Sequence, residues 1–214
     1  MIDLQKVVSE LNKNNMEAYV VNNRTEVVPF LKTIVPLNAS IGSGGSITLS
    51  ECGVLDFLKS EDYNFYERKE GITTEEKSEI FKKQHNADIY FSSANAITES
   101  GELYNVDGAC NRISAIAHGP NKVIIIAGVN KIVKDLECAS TRVKTIAAPK
   151  NCVRLNYQTP CFKTGRCISL KKKNPAVTDG CASENRICCH YLITGFQKIK
   201  NRICVILVNE NLGY

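Results

Sequence analysis

Apolar positions along the first third of the chain recur with the spacing of helices that lead into short strands. Asp3 to Asn15 places Leu4, Val7, Val8 and Leu11 on one stripe and runs into Ala18-Tyr19-Val20-Val21, a β-branched strand pattern. A second helical pattern, Thr25 to Ile34, stops before Pro36, and Ala39-Ser40-Ile41 then reads as a short buried strand entering Gly42-Ser43-Gly44-Gly45-Ser46. The helix expected after this loop buries Val54, Leu55 and Leu58, with Thr48 and Glu51 at the spacing of a capping box.

Thr73 to Asn86 is helical in composition and precedes Ala87-Asp88-Ile89-Tyr90-Phe91, another strand. From Asn95 to Ala117 apolar positions alternate around two glycine turns, which predicts antiparallel hairpins. Lys122 to Ala127 is a continuous β-branched run, as expected of a strand covered on both faces. Lys131 to Ala148 carries Ile132, Leu136, Val143 and Ile146 near one helical stripe and is expected to end at Pro149. Arg202 to Val208 supplies a last strand. Helices alternating with hydrophobic strands predict an α/β fold, a three-layer αβα sandwich with an inserted β-hairpin region, formed as one domain over residues 1–214.

Composition narrows the classes. Of 214 residues, 43% are hydrophobic and 23% charged, which excludes fibrous and low-complexity chains. The longest apolar run, Val123 to Val129, is far too short to span a membrane. The first fifteen residues carry acids among their apolar positions, so no secretory signal is expected and the expected compartment is cytoplasmic. Lys and Arg exceed Asp and Glu by only five, and Lys171 to Lys173 form a short solvated run, so no nucleic-acid partner is expected. Ten cysteines are many for a reducing compartment. Six of them fall between Cys152 and Cys189.

Three groups of residues carry candidate chemistry. The glycines around Gly44, Gly45 and Ser46 let backbone N–H groups approach an anion, although the loop fits neither the dinucleotide nor the P-loop pattern; a tight strand-to-helix turn is the alternative. Asn95, Thr98, Glu99, Glu102, Asn105, Asp107, Asn111 and Arg112 form a dense polar stretch, the expected lining of a cleft at strand ends. Glu99 is its candidate general base or nucleophile. Cys161, Cys167, Cys181 and Cys188 could hold zinc or an iron–sulfur cluster, with His190 as a substitute ligand; reduced structural thiols are the alternative.

The run Ile41-Gly-Ser-Gly-Gly-Ser-Ile47-Thr48, the long segment Ser93 to Ala109 containing NAITESGELYNVDG, Asn111-Arg112, Gly119-Pro120-Asn121, Gly128 to Lys131, Thr159-Pro160-Cys161 and the ending Val208 to Tyr214 resemble the lactate utilisation protein family with the LUD domain, near its C-type members. The resemblance covers nearly the whole chain. It implies a NagB/RpiA/CoA-transferase-like fold, with Gly44, Gly45 and Ser46 as an anion loop and Asn95, Thr98, Asn105, Asp107, Asn111 and Arg112 lining the cleft. Gly128, Asn130 and Lys131 would lie at an adjacent strand end. It also implies a role beside iron–sulfur oxidoreductase subunits in oxidising L-lactate to pyruvate. A small carboxylate or phosphate-containing ligand is expected, and the sequence is silent on subunit number, with a homodimer as a guess. Two departures stand out: Cys110 replaces the glycine usual before the Asn-Arg pair, and residues around Lys171 to Thr178 open the compact cysteine segment. The alternatives to a lactate-oxidation accessory are a self-contained isomerase- or transferase-like enzyme using Glu99 on a phosphorylated or CoA-activated acid, and a non-enzymatic ligand-binding protein.

Overall fold

The computed structural model describes residues 2–60, 62–69 and 71–214. In chain order it runs α1 (Leu4–Lys13), β1 (Glu17–Val21), α2 (Val27–Ile34), β2 (Ser40–Ser43), α3 (Ile47–Glu51), α4 (Val54–Leu58), β3 (Asn64–Phe65), α5 (Thr74–His85) and β4 (Ile89–Ser92). There follow β5 (Ala96–Thr98), β6 (Leu103–Asp107), α6 (Asn111–Ala117), β7 (Lys122–Gly128), β8 (Ile132–Val133) and α7 (Leu136–Arg142). The chain closes with α8 (Ala148–Arg154), α9 (Pro160–Thr164), β9 (His190–Thr194) and β10 (Ile203–Val208). None of the described helices is long and apolar enough to cross a membrane.

The main sheet has six strands in the order β1-β10-β7-β4-β2-β3, and every adjacent pair is parallel. Its two faces divide the strand residues by parity. Ile124, Ile126, Cys204, Ile206 and Val208 face α2, α3 and α4 through Leu31, Leu49 and Leu58. Val123, Ile125, Val205 and Leu207 face the other way, against Val7 and Leu11 of α1 and Ala115 and Ile116 of α6. Helices cover both faces, so β7 and β10 need apolar residues at every position, and the fold is a three-layer αβα sandwich. A second sheet of four strands, β8-β5-β6-β9, is built on the β5–β6 hairpin and packs Ala96, Tyr104 and Val106 against Ala139 and Val143 on the α7 side.

Several local expectations are corrected by longer-range contacts. Residues 111–117 form a helix and not a hairpin strand, because Asp107 at the end of β6 accepts the N–H groups of Arg112 and Ile113 and caps the turn. Ser46 caps α3 by accepting the N–H of Leu49, while Thr48 and Glu51 are engaged elsewhere. The expected helix from Lys131 begins only at Leu136, with Asp135 as its cap, because Val129–Lys131 forms a 3-10 turn and Ile132–Val133 joins β5. Pro149 does not end that helix. A π turn over Val143–Ala147 precedes it and places Pro149 in the first turn of α8, where its missing N–H costs little.

Candidate functional site

The carboxyl ends of β2, β4 and β7 open onto one cleft, closed on its other sides by the end of β6, the start of α6, the π turn before α8 and the final residue, Tyr214. Its volume is about 310 Å³, enough for a small organic acid. Parallel sheets bind ligands at this edge because the chain there leaves the sheet in loops whose backbone groups are free of the ladder.

Lys131 is the most unusual group in it. Its side chain is only 3% exposed, and Nζ donates to Thr48 Oγ1 at 2.7 Å and Ser93 Oγ at 2.9 Å. Both partners are neutral hydroxyls, one following the glycine loop and one following β4. Burial, then the positive charges of Arg142 and Arg112, push the Lys131 amine down to about 7 from an ordinary value of 10.5. This amine therefore exchanges its proton near neutrality.

Arg112 braces the opposite wall. Its Nη1 donates to Ser93 O at 3.0 Å and Asn105 Oδ1 at 2.7 Å, and its Nη2 donates to Asn95 Oδ1 at 2.9 Å and Val106 O at 2.8 Å. No acceptor of the guanidinium is a carboxylate; Asp107, the nearest acid, spends Oδ2 on backbone N–H groups. Burial lowers the Arg112 pKa from its usual value, with the Asp107 charge opposing. Gly44 lies beneath this side chain, where a Cβ would come within 3.0 Å of Arg112 Cδ. Of the charged residues among the described lining, four are cationic, Arg68, Arg112, Lys131 and Arg154, and one, Asp107, is acidic.

The expected residues divide into four groups. Gly45, Ser46, Asn95, Asp107, Asn111, Arg112 and Lys131 line the cleft together. Asn105, fully buried, and Gly44 stand immediately behind it, in contact with Arg112. Gly128 and Asn130 instead hold the C-terminal segment: Asn130 Oδ1 accepts the N–H of Leu212 at 3.0 Å, and a Cβ on Gly128 would lie 2.5 Å from Glu210 O.

Thr98 and Glu99 are not brought to the cleft. Asn95 enters β5 at the cleft, and four residues of extended chain carry Glu99 roughly 13 Å further on. There Thr98 Oγ1 donates to Glu102 Oε2, the Glu99 N–H donates to Val133 O, and Gly101 abuts the end of α1. These residues build the hairpin turn. Glu99 accordingly gives way to Lys131 as the candidate proton-exchanging group.

Composition and spacing did not single out Thr48, Ser93, Arg154 and Tyr214. Arg154 Nε donates to the Tyr214 hydroxyl at 2.8 Å, and both line the cleft. Tyr214 is thus part of the site, drawn in by Gly213 N–H donating to Glu51 Oε2 at 2.7 Å.

Cys161, Cys167, Cys181 and Cys188 meet at a small apolar cavity beside the cleft. Among the described residues, no group of three or more His, Cys, Asp or Glu is placed so that it could hold a single metal ion. His190 begins β9, exposed, opposite Asp107.

Comparison with known proteins agrees with this architecture. The chain is similar in fold to the crystal structure of a DUF162 family protein from Deinococcus radiodurans, with a TM-score of 0.53 at 13% identity over 96% of this chain and 95% of that one. No curated protein matches it. The model of the LUD domain matches residues 4–208, so the chain belongs to the LUD-domain family.

Proposed function

We propose that the cleft binds a small organic acid through its carboxylate or phosphate group, with Lys131 as the direct charge partner. The observation that carries this reading is the charge imbalance of the lining: four cationic side chains face a single carboxylate already committed to backbone N–H groups. Arg68 and Arg154 are exposed, but Lys131 is buried without a counter-ion among the described residues, which is costly, and an anionic ligand supplies the missing partner. Lys131 has donated toward two hydroxyls and, when protonated, keeps a third N–H for the ligand. The LUD family's association with lactate utilisation makes a short hydroxy- or oxo-acid the first ligand to test, and a place beside iron–sulfur oxidoreductase subunits the first cellular role.

A second reading, acid–base chemistry on the bound acid, is favoured by one observation: the Lys131 amine is held at about 7, where a group can both give and take a proton. Titration calorimetry with L-lactate, pyruvate, inorganic phosphate and a phosphorylated three-carbon acid tests the binding. Saturable binding of at least one, weakened tenfold or more in Lys131→Met, is expected; no binding by any of the four, or equal binding by the variant, overturns it. Turnover of the bound acid by the wild-type chain and not by Lys131→Met separates the second reading from the first.

A further inference from the structure

The turn between α8 and α9 holds two thiols in contact. Cys152, near the end of α8, is 1% exposed, and Cys161, in the first turn of α9, is half-buried. Cys161 Sγ donates to Cys152 Sγ at 3.8 Å, the one thiol–thiol hydrogen bond among the described residues, and Thr159 Oγ1 lies 3.2 Å from Cys161 Sγ. The chain between them is bent to make this approach. Tyr157 N–H donates back to Cys152 O at 2.9 Å, Asn156 turns through a left-handed φ of 53°, and Thr159 caps α9 by accepting the N–H of Phe162. Both cysteines are free.

A disulfide holds its sulfurs about 2.05 Å apart, so the pair has roughly 1.8 Å to close. Side-chain rotation and a slight approach of two short helices can supply that distance. The two thiols differ in access: an oxidant reaches half-buried Cys161, while Cys152 waits behind it in the core. An accessible thiol backed by a second one in contact is the arrangement of a reacting and a resolving cysteine.

We infer that Cys152 and Cys161 form an oxidative modification site, a dithiol that hydrogen peroxide converts to a disulfide between α8 and α9. Cys161 reacts first: its sulfur, as the thiolate, attacks one peroxide oxygen, the O–O bond breaks, and Cys161 sulfenic acid and one water result. The Cys152 sulfur then attacks the sulfenic sulfur, the S–O bond breaks, and hydroxide leaves with the Cys152 proton as a second water. In sum, two thiols lose two electrons and two protons, and one peroxide becomes two waters. The consequence lies in the adjoining cleft. Asn151 directly precedes Cys152, Arg154 follows it by two residues, and Tyr157 lies inside the closed loop; all three line the cleft. Residues 156–158 are exposed, so in the reduced chain this stretch is open to local unfolding, and a covalent link from α8 to α9 holds it shut.

The test treats the reduced full chain with one equivalent of hydrogen peroxide, blocks the remaining thiols with N-ethylmaleimide and maps the tryptic peptides by mass spectrometry. Cleavage after Lys150, Arg154 and Lys163 puts the two sulfurs on separate peptides, Asn151–Arg154 and Leu155–Lys163. The expected product is that pair joined, lighter by two hydrogens than its sum and separated again by dithiothreitol. Cys152→Ser should stop at a Cys161 sulfenic acid that dimedone captures, and Cys161→Ser should leave Cys152 unoxidised, with circular dichroism checking that each is folded. Hydrogen–deuterium exchange across residues 155–159 should slow by about threefold or more in the oxidised wild type and in neither variant. A first disulfide joining other cysteines, a Cys161 that passes to sulfinic acid with Cys152 still free, or equal exchange in the reduced and oxidised chains would overturn the assignment. None of these readouts depends on ligand binding in the cleft.

Discussion

Lys131 Nζ donates to Thr48 Oγ1 at 2.7 Å, joining the 3-10 turn after β7 to the helix that follows the glycine loop. The contact puts an ammonium among neutral oxygens, and its energetic consequence depends on pH. The Lys131 amine titrates at about 7 in the folded chain, against 10.5 when unfolded. Below about 7 both states hold the proton and the fold bears the whole penalty of burying it; between these values only the unfolded chain binds it, so this contribution to stability rises with pH. Lys131→Met should therefore stabilise the fold by a few kcal/mol near pH 6, with the gain shrinking toward pH 10. Denaturant unfolding at the two pH values checks this; a loss of stability at both would contradict it.

Arg112 organises the hairpin wall. Replacing it with Ala leaves Ser93 O, Val106 O and the amide oxygens of Asn95 and Asn105 without their donors. Lost hydrogen bonds from a charged donor to partly buried acceptors should cost about 3 kcal/mol. Arg112→Lys should recover little, because one ammonium cannot span four acceptors held by a planar fork. Thermal melting of the two variants measures this, and a Lys variant as stable as wild type would refute the bracing role.

Cys110 adopts φ 64° and ψ −2° immediately before α6, a left-handed conformation that costs a side chain with a Cβ. Cys110→Gly should stabilise the protein by about 0.5–1 kcal/mol, while Cys110→Ala should change little. The comparison of the two midpoints is the measurement; equal midpoints would mean the strain is negligible.

How much was legible follows from where each contact comes from. β7 and β10 announce themselves because both their faces are buried, and α5 because Thr73 to Asn86 is helical in composition; its Thr73–Glu76 capping box is added by the structure. The helix over residues 111–117 was read as strand because its cap, Asp107, sits on another element. Glu51 was read as a cap, but its partner is Gly213, at the far end of the sequence. The polar stretch from Asn95 to Arg112 was legible as a site because one hairpin and one helix start deliver it. Glu99 shares the strand of Asn95, and only the hairpin's direction of travel decides that it leaves the cleft. Lys131 came in through family resemblance; its low pKa arises from burial beside Arg142 and Arg112, which no local pattern encodes.

The central claim is an acid-binding cleft whose charge partner is Lys131. The most direct measurement is titration calorimetry of the short acids at about pH 6 and pH 8.5, in buffers of different ionisation enthalpy, on wild type and Lys131→Met. The account predicts tighter binding at the lower pH, proton uptake on binding at the higher pH, and neither effect in the variant. Binding of equal strength at both pH values without proton uptake would contradict it.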